Sequence, residues 1–204
     1  MSRKAHWEQV WTTKPSTEVS WYQPDPTTSL ALLREVGTTA TTQILDVGGG
    51  DSRLVDAVVA QGLGRMTVLD ISGAALARAR ARLGAAADAV TWIEADVTAV
   101  QLPQASVDIW HDRAVFHFLT DPADRARYAA TATAAIRPGG TMLISTFALD
   151  GPTKCSGLEV ERYAPEGLAE AMGEAFELVR GFSETHRTPA DREQHFSVAV
   201  LRRR

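Results

Sequence analysis

The chain alternates short apolar segments with segments of helical character, and this alternation constrains its fold more than any other feature. Apolar runs at 43–47, 66–70, 90–94, 107–110 and 141–147 predict five strands. Periodicity and capping residues predict helices over 51–61, over 72–83 and from Pro122 onward. Strands joined by helices pair in parallel through right-handed crossovers. We therefore expect an α/β, Rossmann-like doubly wound sheet.

The two ends of the chain extend this core. Residues 1–40 predict a short helix near 5–11, an extended proline-rich loop, and a helix from Thr28 to Gly37 that is capped by Ser29 or the threonines before it. A short helix is expected over 165–172, and strands near 176–188 and 194–201 predict a terminal hairpin. We expect one domain over 1–204, with 1–40 as an aromatic-rich cap segment and 41–204 as the core.

Composition limits the classes of partner. The net charge is -4, with 25 acidic against 21 basic residues, which does not favour a nucleic-acid partner. Cys155 is the only cysteine, so an internal disulfide and a thiolate metal site are excluded, and we predict no bound metal. No apolar run is long enough for a secretion signal or a membrane span. We expect a cytoplasmic protein without a membrane partner, either a monomer or a homodimer.

Acidic side chains follow three successive strands. Asp46 precedes a glycine loop at 48–50, Asp70 ends the second strand, and Asp96 follows the third. Asp70 stands where a ribose-binding acid is expected. An acid at position 46 would repel a phosphate, and Arg53 replaces the third glycine that dinucleotide loops favour. A nucleoside with a cationic tail and no phosphate fits better, and S-adenosylmethionine is such a ligand.

The order of these motifs resembles a known family. Asp46–Gly50, Val68–Ile71, Ala95–Val97 and Arg137–Gly140 are similar to the ordered motifs of the class I S-adenosylmethionine-dependent methyltransferases. The resemblance implies a seven-stranded sheet whose last two strands form an antiparallel hairpin. Ser52 departs from the family pattern, in which the loop often has its last glycine there, and its hydroxyl is a candidate contact for the cofactor's carboxylate.

The resemblance implies S-adenosylmethionine as cofactor and S-adenosylhomocysteine as product. Asp46 would hold the amino-acid end, Asp70 the ribose hydroxyls, and Asp96 the adenine amino group beside Ile71. The full predicted cofactor set is Asp46, Gly48, Gly49, Gly50, Ser52, Asp70, Ile71, Asp96, Val97, His111 and Trp21.

The segment after the fourth strand predicts the substrate site. His111–Leu119 followed by Asp121 and Pro122 is similar to a segment of thiopurine-methyltransferase-like enzymes, which implies a small acceptor with sulfur or another soft nucleophile. A thiol acceptor needs only to be deprotonated, which Arg113 or a histidine would favour, whereas an amine or hydroxyl needs a base. The catalytic candidates are His111, Asp112, Arg113 and His117, and the substrate candidates are Tyr22, Arg113, Phe116 and Cys155.

Several alternatives stay open from sequence. Asp112 and Arg113 could form a structural ion pair, and His117 could be a half-buried core histidine. The N-terminal aromatic residues could form a lid over the cofactor or pack the segment onto the sheet edge, and we expect a mixture of the two roles, with residues 19–23 nearest the site. The leading function is methyl transfer to a small metabolite or xenobiotic at sulfur or nitrogen. The rivals are methylation of a protein lysine or N-terminus, non-catalytic binding of the nucleoside, and nicotinamide-dependent oxidoreduction.

Overall fold

A computed structural model describes residues 2–204. The helices are α1 (Arg3–Thr13), α2 (Thr27–Glu35), α3 (Leu54–Gln61), α4 (Gly73–Leu83), α5 (Pro122–Ala135) and α6 (Pro165–Met172). The strands are β1 (Gln43–Val47), β2 (Arg65–Asp70), β3 (Thr91–Glu94), β4 (Val107–Arg113), β5 (Ile136–Phe147), β6 (Lys154–Cys155), β7 (Leu158–Glu159), β8 (Phe176–Arg187) and β9 (Glu193–Arg203).

Seven of these strands form one sheet in the order β3-β2-β1-β4-β5-β9-β8. Strands β1 to β5 pair in parallel, and β9 pairs antiparallel with both β5 and β8. The prediction of a mostly parallel, doubly wound sheet with an antiparallel C-terminal hairpin is confirmed. β6 and β7 form a separate two-stranded hairpin after β5.

Two of the parallel strands extend three or more residues beyond the sequence prediction. β4 continues past Trp110 through Arg113, because it pairs with β1 on one side and with β5 on the other. β5 begins at Ile136, so the Pro138–Gly140 turn signal lies within the strand range instead of before it. The extension of β4 matters for function because side chains alternate between the two faces of a strand. His111 and Arg113 therefore share one face, and Asp112 lies on the other.

The starts of α4 and α5 follow the expected capping rules, but two other helix starts need correction. The helix predicted from residue 51 begins only at Leu54, and no side chain caps it. Ser72 accepts a hydrogen bond from the Ala75 N–H and caps α4, and Pro122 occupies the first turn of α5. The prediction that Ser29 or a neighbouring threonine caps α2 is wrong, since Pro26 precedes the helix and no side chain caps it. The Ser29 hydroxyl lies instead 2.9 Å from His111 Nε2.

Apolar side chains cover both faces of the sheet. One cluster packs α5 and α6 against the sheet around Trp110, Tyr128 and Leu168. The other packs α2, α3 and α4 against the opposite face around Leu33, Val58 and Leu76. No helix among residues 2–204 is long and apolar enough to cross a membrane.

A buried polar chain connects β4 to α5. The Trp110 indole donates to the Tyr128 hydroxyl over 2.8 Å, and that hydroxyl donates to Asp112 Oδ2 over 2.6 Å. Asp112 also accepts from the backbone N–H groups of Val115 at 2.9 Å and Phe116 at 3.2 Å. Asp112 thus fixes the chain that leaves β4 for the next turn.

We predict that Tyr128→Phe costs about 1–3 kcal/mol of unfolding free energy, because it leaves a buried donor and a buried acceptor without their partner. Urea unfolding followed by circular dichroism measures this cost. Tyr163→Phe is the matched control, since it removes a hydroxyl from a half-buried ring that contacts the same Phe116. Equal losses in the two variants would contradict the role given to the buried chain.

Candidate active site

Two adjoining clefts open at the carboxyl ends of the parallel strands, where doubly wound sheets bind ligands. The aromatic cleft lies at the ends of β2 and β3 and is bordered by N-terminal tryptophans. The glycine-loop cleft lies at the loop after β1. Their shared lining consists of Trp11, Trp21, Val47, Gly48 and Arg113.

Most of the predicted site residues border one cleft or both. Those in the aromatic cleft are Trp21, Gly48, Asp70, Ile71, Asp96, Val97, Arg113 and Cys155. Those in the glycine-loop cleft are Trp21, Tyr22, Asp46, Gly48, Gly49, Ser52, His111 and Arg113. Gly50 lies next to these clefts, where an added Cβ would be 3.0 Å from Asp70 Oδ2.

The glycine loop allows close approach to the backbone. Gly48 has φ of +63°, a left-handed conformation that favours glycine. A Cβ at Gly49 would lie 2.5 Å from Asp46 Oδ2 and 2.8 Å from Val68 Cγ1, so no larger residue fits without rearrangement. Ser52 uses its hydroxyl locally, because Oγ accepts from the Leu54 N–H at 3.1 Å at the start of α3.

Asp46 is buried at the floor of the glycine-loop cleft with one oxygen bound and one free. His111 Nδ1 lies 2.7 Å from Asp46 Oδ1, and an ionised carboxylate can only accept, so the imidazole donates. His111 Nε2 contacts the Ser29 hydroxyl. Asp46 Oδ2 is buried and has no hydrogen-bond partner among residues 2–204. A free buried acceptor at a cleft floor is a site for a cationic donor.

Asp70 lies at the end of β2 in the aromatic cleft and is only 7% exposed. Its Oδ1 accepts from the Ser72 N–H at 2.8 Å. Burial raises the pKa of Asp70 to about 7, and the carboxylates of Asp46 and Glu8 act in the same direction. A ligand that donates hydrogen bonds to this carboxyl would stabilise its ionised form.

Asp96 lies in the same cleft but is already engaged. Its Oδ1 accepts from the Thr98 backbone N–H and hydroxyl, and its Oδ2 accepts from Arg3 at 2.8 Å. Arg3 also pairs with Asp124 on α5. The guanidinium of Arg3 lines the cleft beside Asp96, so a group that reaches Asp96 shares it with this arginine.

The N-terminal helix closes one side of the aromatic cleft. Glu8 Oε1 accepts from the Gly73 N–H at 2.7 Å, and Glu8 Oε2 lies 3.2 Å from the Ser72 hydroxyl. This carboxylate therefore binds the N-terminus of α4, where the helix dipole favours negative charge. Trp7 contacts both Trp21 and Phe118 edge to face, with centroid distances of 5.8 and 4.9 Å.

Besides Gly50, three predicted residues lie outside the linings of both clefts. Asp112, Phe116 and His117 are each 0% exposed. Phe116 packs in the core against Tyr128, because it follows the turn that Asp112 fixes. Because side chains alternate along β4, Asp112 points toward α5 on the same face as Trp110. The geometry therefore does not favour direct contact between these three side chains and a substrate.

His117 is a fully buried histidine behind the cleft. Its Nδ1 accepts weakly from the Phe147 N–H at 3.4 Å, and its Nε2 has no hydrogen-bond partner among the described residues. Burial, and then the charge of Arg113, lower the pKa of His117 to about 3. The imidazole is therefore neutral at ordinary pH and has no access to solvent.

Arg113 and Cys155 border the aromatic cleft opposite Asp70 and Asp96. Arg113 Nη1 donates to the Trp21 carbonyl at 3.1 Å, and its guanidinium lies 4.8 Å from the centroid of the Phe196 ring. Burial raises the pKa of the Cys155 thiol to about 11, so the thiol stays protonated. Asp112 and Arg113 do not form the ion pair that the sequence left open, since Asp112 is bound by Tyr128 and backbone groups.

The sequence reasoning missed three residues that shape this site: Arg3, Glu8 and Ser29. Each acts through a partner more than 60 positions away, at Asp96, Gly73 and His111 respectively. The charged residues of α1 are visible in the sequence, but no neighbouring residue indicates which strand end they face.

Comparison with known proteins agrees with this geometry. Residues 44–140 match a family described as a methyltransferase domain. An uncharacterized methyltransferase of Mycobacterium tuberculosis is 33% identical over 118 residues, which are 57% of this chain and 56% of that protein. The match therefore spans little more than half of the relative.

Solved structures share the fold over the whole chain. A S-adenosylmethionine-dependent methyltransferase from Anabaena variabilis has a TM-score of 0.78 at 17% identity, covering 100% of this chain and 96% of that one. The 1,6-didemethyltoxoflavin-N1-methyltransferase of Burkholderia thailandensis, with 1,6-didemethyltoxoflavin and S-adenosylhomocysteine bound, has a TM-score of 0.69 at 23% identity, covering 98% and 83%. The fold and the strand-end motifs define a class I methyltransferase architecture. Residues 44–140 thus match a methyltransferase domain, and the chain shares the fold of solved S-adenosylmethionine-dependent methyltransferases, in agreement with its motifs.

The raised pKa of Asp70 predicts a pH-dependent stability. Because the folded pKa of about 7 lies above the ordinary value of 3.8, Asp70 contributes stability below about pH 4 that is lost as the pH rises to 7. Asp70→Asn should therefore melt several degrees above the parent protein at pH 8, and the gap should close toward pH 4. Thermal unfolding of both proteins between pH 4 and pH 8 measures this difference in melting temperature. Asp88→Asn, at an exposed site, is the control, and a gap that is constant with pH would refute the assignment.

Proposed function

We propose that this chain binds S-adenosylmethionine across the two clefts and transfers its methyl group to a small-molecule acceptor. The observation that carries this proposal is the free, buried Asp46 Oδ2 beside a glycine loop, with Asp70 at the end of the neighbouring strand. This arrangement matches a ligand with an ammonium at one end and a ribose nearby. It does not suit a pyrophosphate, which an unpaired carboxylate would repel.

The cleft residues fit the parts of the cofactor in order. The ammonium would donate to Asp46 in the glycine-loop cleft, and the ribose hydroxyls would donate to Asp70. Ile71 and Val97 line the aromatic cleft where an adenine ring would lie, with Asp96 and Arg3 at its edge. Gly48 borders both clefts, so the ligand can pass from one to the other along its backbone.

The bound cofactor supplies a methyl group on a positively charged sulfur. The protein's own contribution is to hold and align the acceptor and to exclude water, and such positioning gives effective molarities of about 10⁵ M or more. Trp7, Trp21 and Phe118 form an apolar wall suited to this purpose. Their ring faces also suit a sulfonium cation.

A small acceptor is favoured over a protein by the lining of the aromatic cleft. The helix α1, held by Glu8 and Arg3, borders the same cleft as the turn after β4, so the acceptor would lie between elements of this chain. The neighbour from Burkholderia thailandensis binds a small heterocycle, which supports the same class of acceptor here. Sulfur and nitrogen acceptors, a cytoplasmic location and a monomeric or homodimeric state remain predictions.

A pair of ligands tests the cofactor assignment. We predict that Asp46→Asn weakens the binding of S-adenosylhomocysteine by about 1–3 kcal/mol. The affinity for 5′-methylthioadenosine should be nearly unchanged, because this ligand lacks the ammonium. Asp70→Ala should weaken the binding of both ligands by a similar free energy, since both carry the ribose. Isothermal titration calorimetry measures these affinities.

Asp88→Ala is the matched control for these variants because it removes an exposed carboxylate far from either cleft. Equal losses for both ligands in Asp46→Asn would contradict the position of the amino-acid end. Saturable binding of a nicotinamide dinucleotide, without binding of S-adenosylhomocysteine, would overturn the proposed function.

Acceptor screening tests the reaction. We predict that labelled methyl groups pass from S-adenosylmethionine to members of a panel of small thiols, phenols and heterocyclic amines, with scintillation counting or mass spectrometry as the readout. Labelled lysate proteins in place of small products would favour the protein-methylating rival. Tight cofactor binding with no product from any acceptor would favour a nucleoside-binding protein without catalysis.

A further inference from the structure

The end of the aromatic cleft opposite Asp70 forms a separate chemical environment, which we call the acceptor pocket. Its lining consists of Trp7, Trp21, Arg113, Phe118 and Cys155. The Trp7 ring contacts Trp21 and Phe118 edge to face, and the three rings line the cleft with apolar surface. Such walls suit a planar ring. The guanidinium of Arg113 is the one cation among these five side chains.

Arg113 has buried donors without acceptors. Nη1 is bound to the Trp21 carbonyl, but Nε and Nη2 are shielded from water and have no hydrogen-bond partner among residues 2–204. Burial lowers the pKa of the guanidinium, although an arginine stays charged. Buried unpaired donors are unusual, and a buried cation without a bound anion is costly. A guanidinium edge with adjacent free N–H groups matches a planar anion.

The titratable groups around Arg113 form no ion pair with it. The charge of Glu184 on β8 acts on the guanidinium, but the hydrogen bond of its carboxylate is to the Thr28 hydroxyl at 2.7 Å. Cys155 on β6 is a protonated thiol, His117 is neutral, and His186 on β8 is bound to the Ser20 carbonyl at 2.8 Å. None of these groups forms a salt bridge or a hydrogen bond with Arg113, so its two free donors have no anionic partner among residues 2–204.

The acceptor pocket also has no side chain that could act as a general base. Asp70 and Asp96 lie at the nucleoside end, and His117 and Asp112 are buried outside the lining. His111 borders the other cleft and is bound to Asp46 and Ser29. An acceptor that must lose its proton inside the pocket would find no proton acceptor of suitable strength.

We propose that the methyl acceptor binds as a planar aromatic anion, with its ionised acceptor atom held by Nε and Nη2 of Arg113 and its ring between the aromatic walls. The chemical class is an aryl thiol, a phenol or an electron-poor heteroaromatic N–H that is acidic enough to ionise near neutral pH. This inference rests on the proposed function, because it assigns the acceptor of that reaction.

The step balances without another reagent. The acceptor gives its proton to solvent when it binds as the anion. Its electron pair then forms the bond to the methyl carbon as the bond from that carbon to the sulfonium sulfur breaks. The products are a neutral methylated acceptor and S-adenosylhomocysteine. The methylated product has lost its negative charge, so its attraction to Arg113 falls and its release is favoured.

The carboxylate of the cofactor is a second possible anion for Arg113, because this residue also lines the glycine-loop cleft. The experiment must therefore distinguish an anionic acceptor from the cofactor's carboxylate as the partner of Arg113. The probe is 4-nitrophenol, whose anion alone is yellow, added to protein saturated with S-adenosylhomocysteine. Absorbance against pH gives the apparent pKa of the bound probe, and nitrobenzene is the matched ligand that cannot ionise.

We expect the bound probe to have an apparent pKa about one unit or more below its value in free solution, which is a preference of about tenfold for the anion. In Arg113→Gln this shift should disappear, while the affinities for nitrobenzene and S-adenosylhomocysteine change less than about threefold. Arg113→Lys should retain part of the shift, since it keeps a point charge without the fork. Arg180→Gln, at an exposed position paired with Glu35, is the control.

An unshifted or raised pKa of the probe on the parent protein would overturn the proposal, whether or not the variants fold. A probe shift that persists in Arg113→Gln, together with loss of S-adenosylhomocysteine affinity, would assign the guanidinium to the cofactor instead and would also overturn it. Failure of the parent protein to bind S-adenosylhomocysteine at all would refute the proposed function, and titration of the probe without it would still test Arg113.

Discussion

The position of β4 in the middle of the sheet determines which side chains reach the site. This strand lies between β1 and β5, so its register is fixed on both sides. Its alternation sends His111 and Arg113 toward α2 and the clefts, and sends Trp110 and Asp112 toward α5. A shift by one residue would exchange these two pairs and place a carboxylate where the guanidinium stands. The chemistry of the clefts therefore depends on this register.

The two clefts together carry a charge gradient. Asp46 and Asp70 lie along the part assigned to the cofactor, and Glu8 adds a third carboxylate beside Asp70. Arg113 lies at the junction of the clefts and has free donors. A cationic methyl donor and an anionic acceptor would each lie beside the opposite charge. Methyl transfer neutralises the charges of both ligands in one step.

The sequence predicts the sheet and the acids at the strand ends because both depend on local patterns. Strand, turn and cap signals are carried by adjacent residues, as with the Ser72 cap of α4. The contacts of Arg3 and Glu8 depend on where α1 lies against the folded sheet, and no short segment encodes that. The extent of β4 was underestimated for the same reason, since pairing with two neighbours extends it over polar residues.

The N-terminal segment both packs on the fold and lines the clefts, the mixture of roles expected from the sequence. Trp11 is 6% exposed and packs on Val19 and Ala75, which anchors the segment to α4. Trp21 packs against this cluster and also lines both clefts. A large ring can bury one face in the protein and present another to a ligand. Because the same residues support the fold and wall the site, the cleft has its shape only when α1 is docked, and the Glu8 contact with α4 couples that docking to the acidic end of the site.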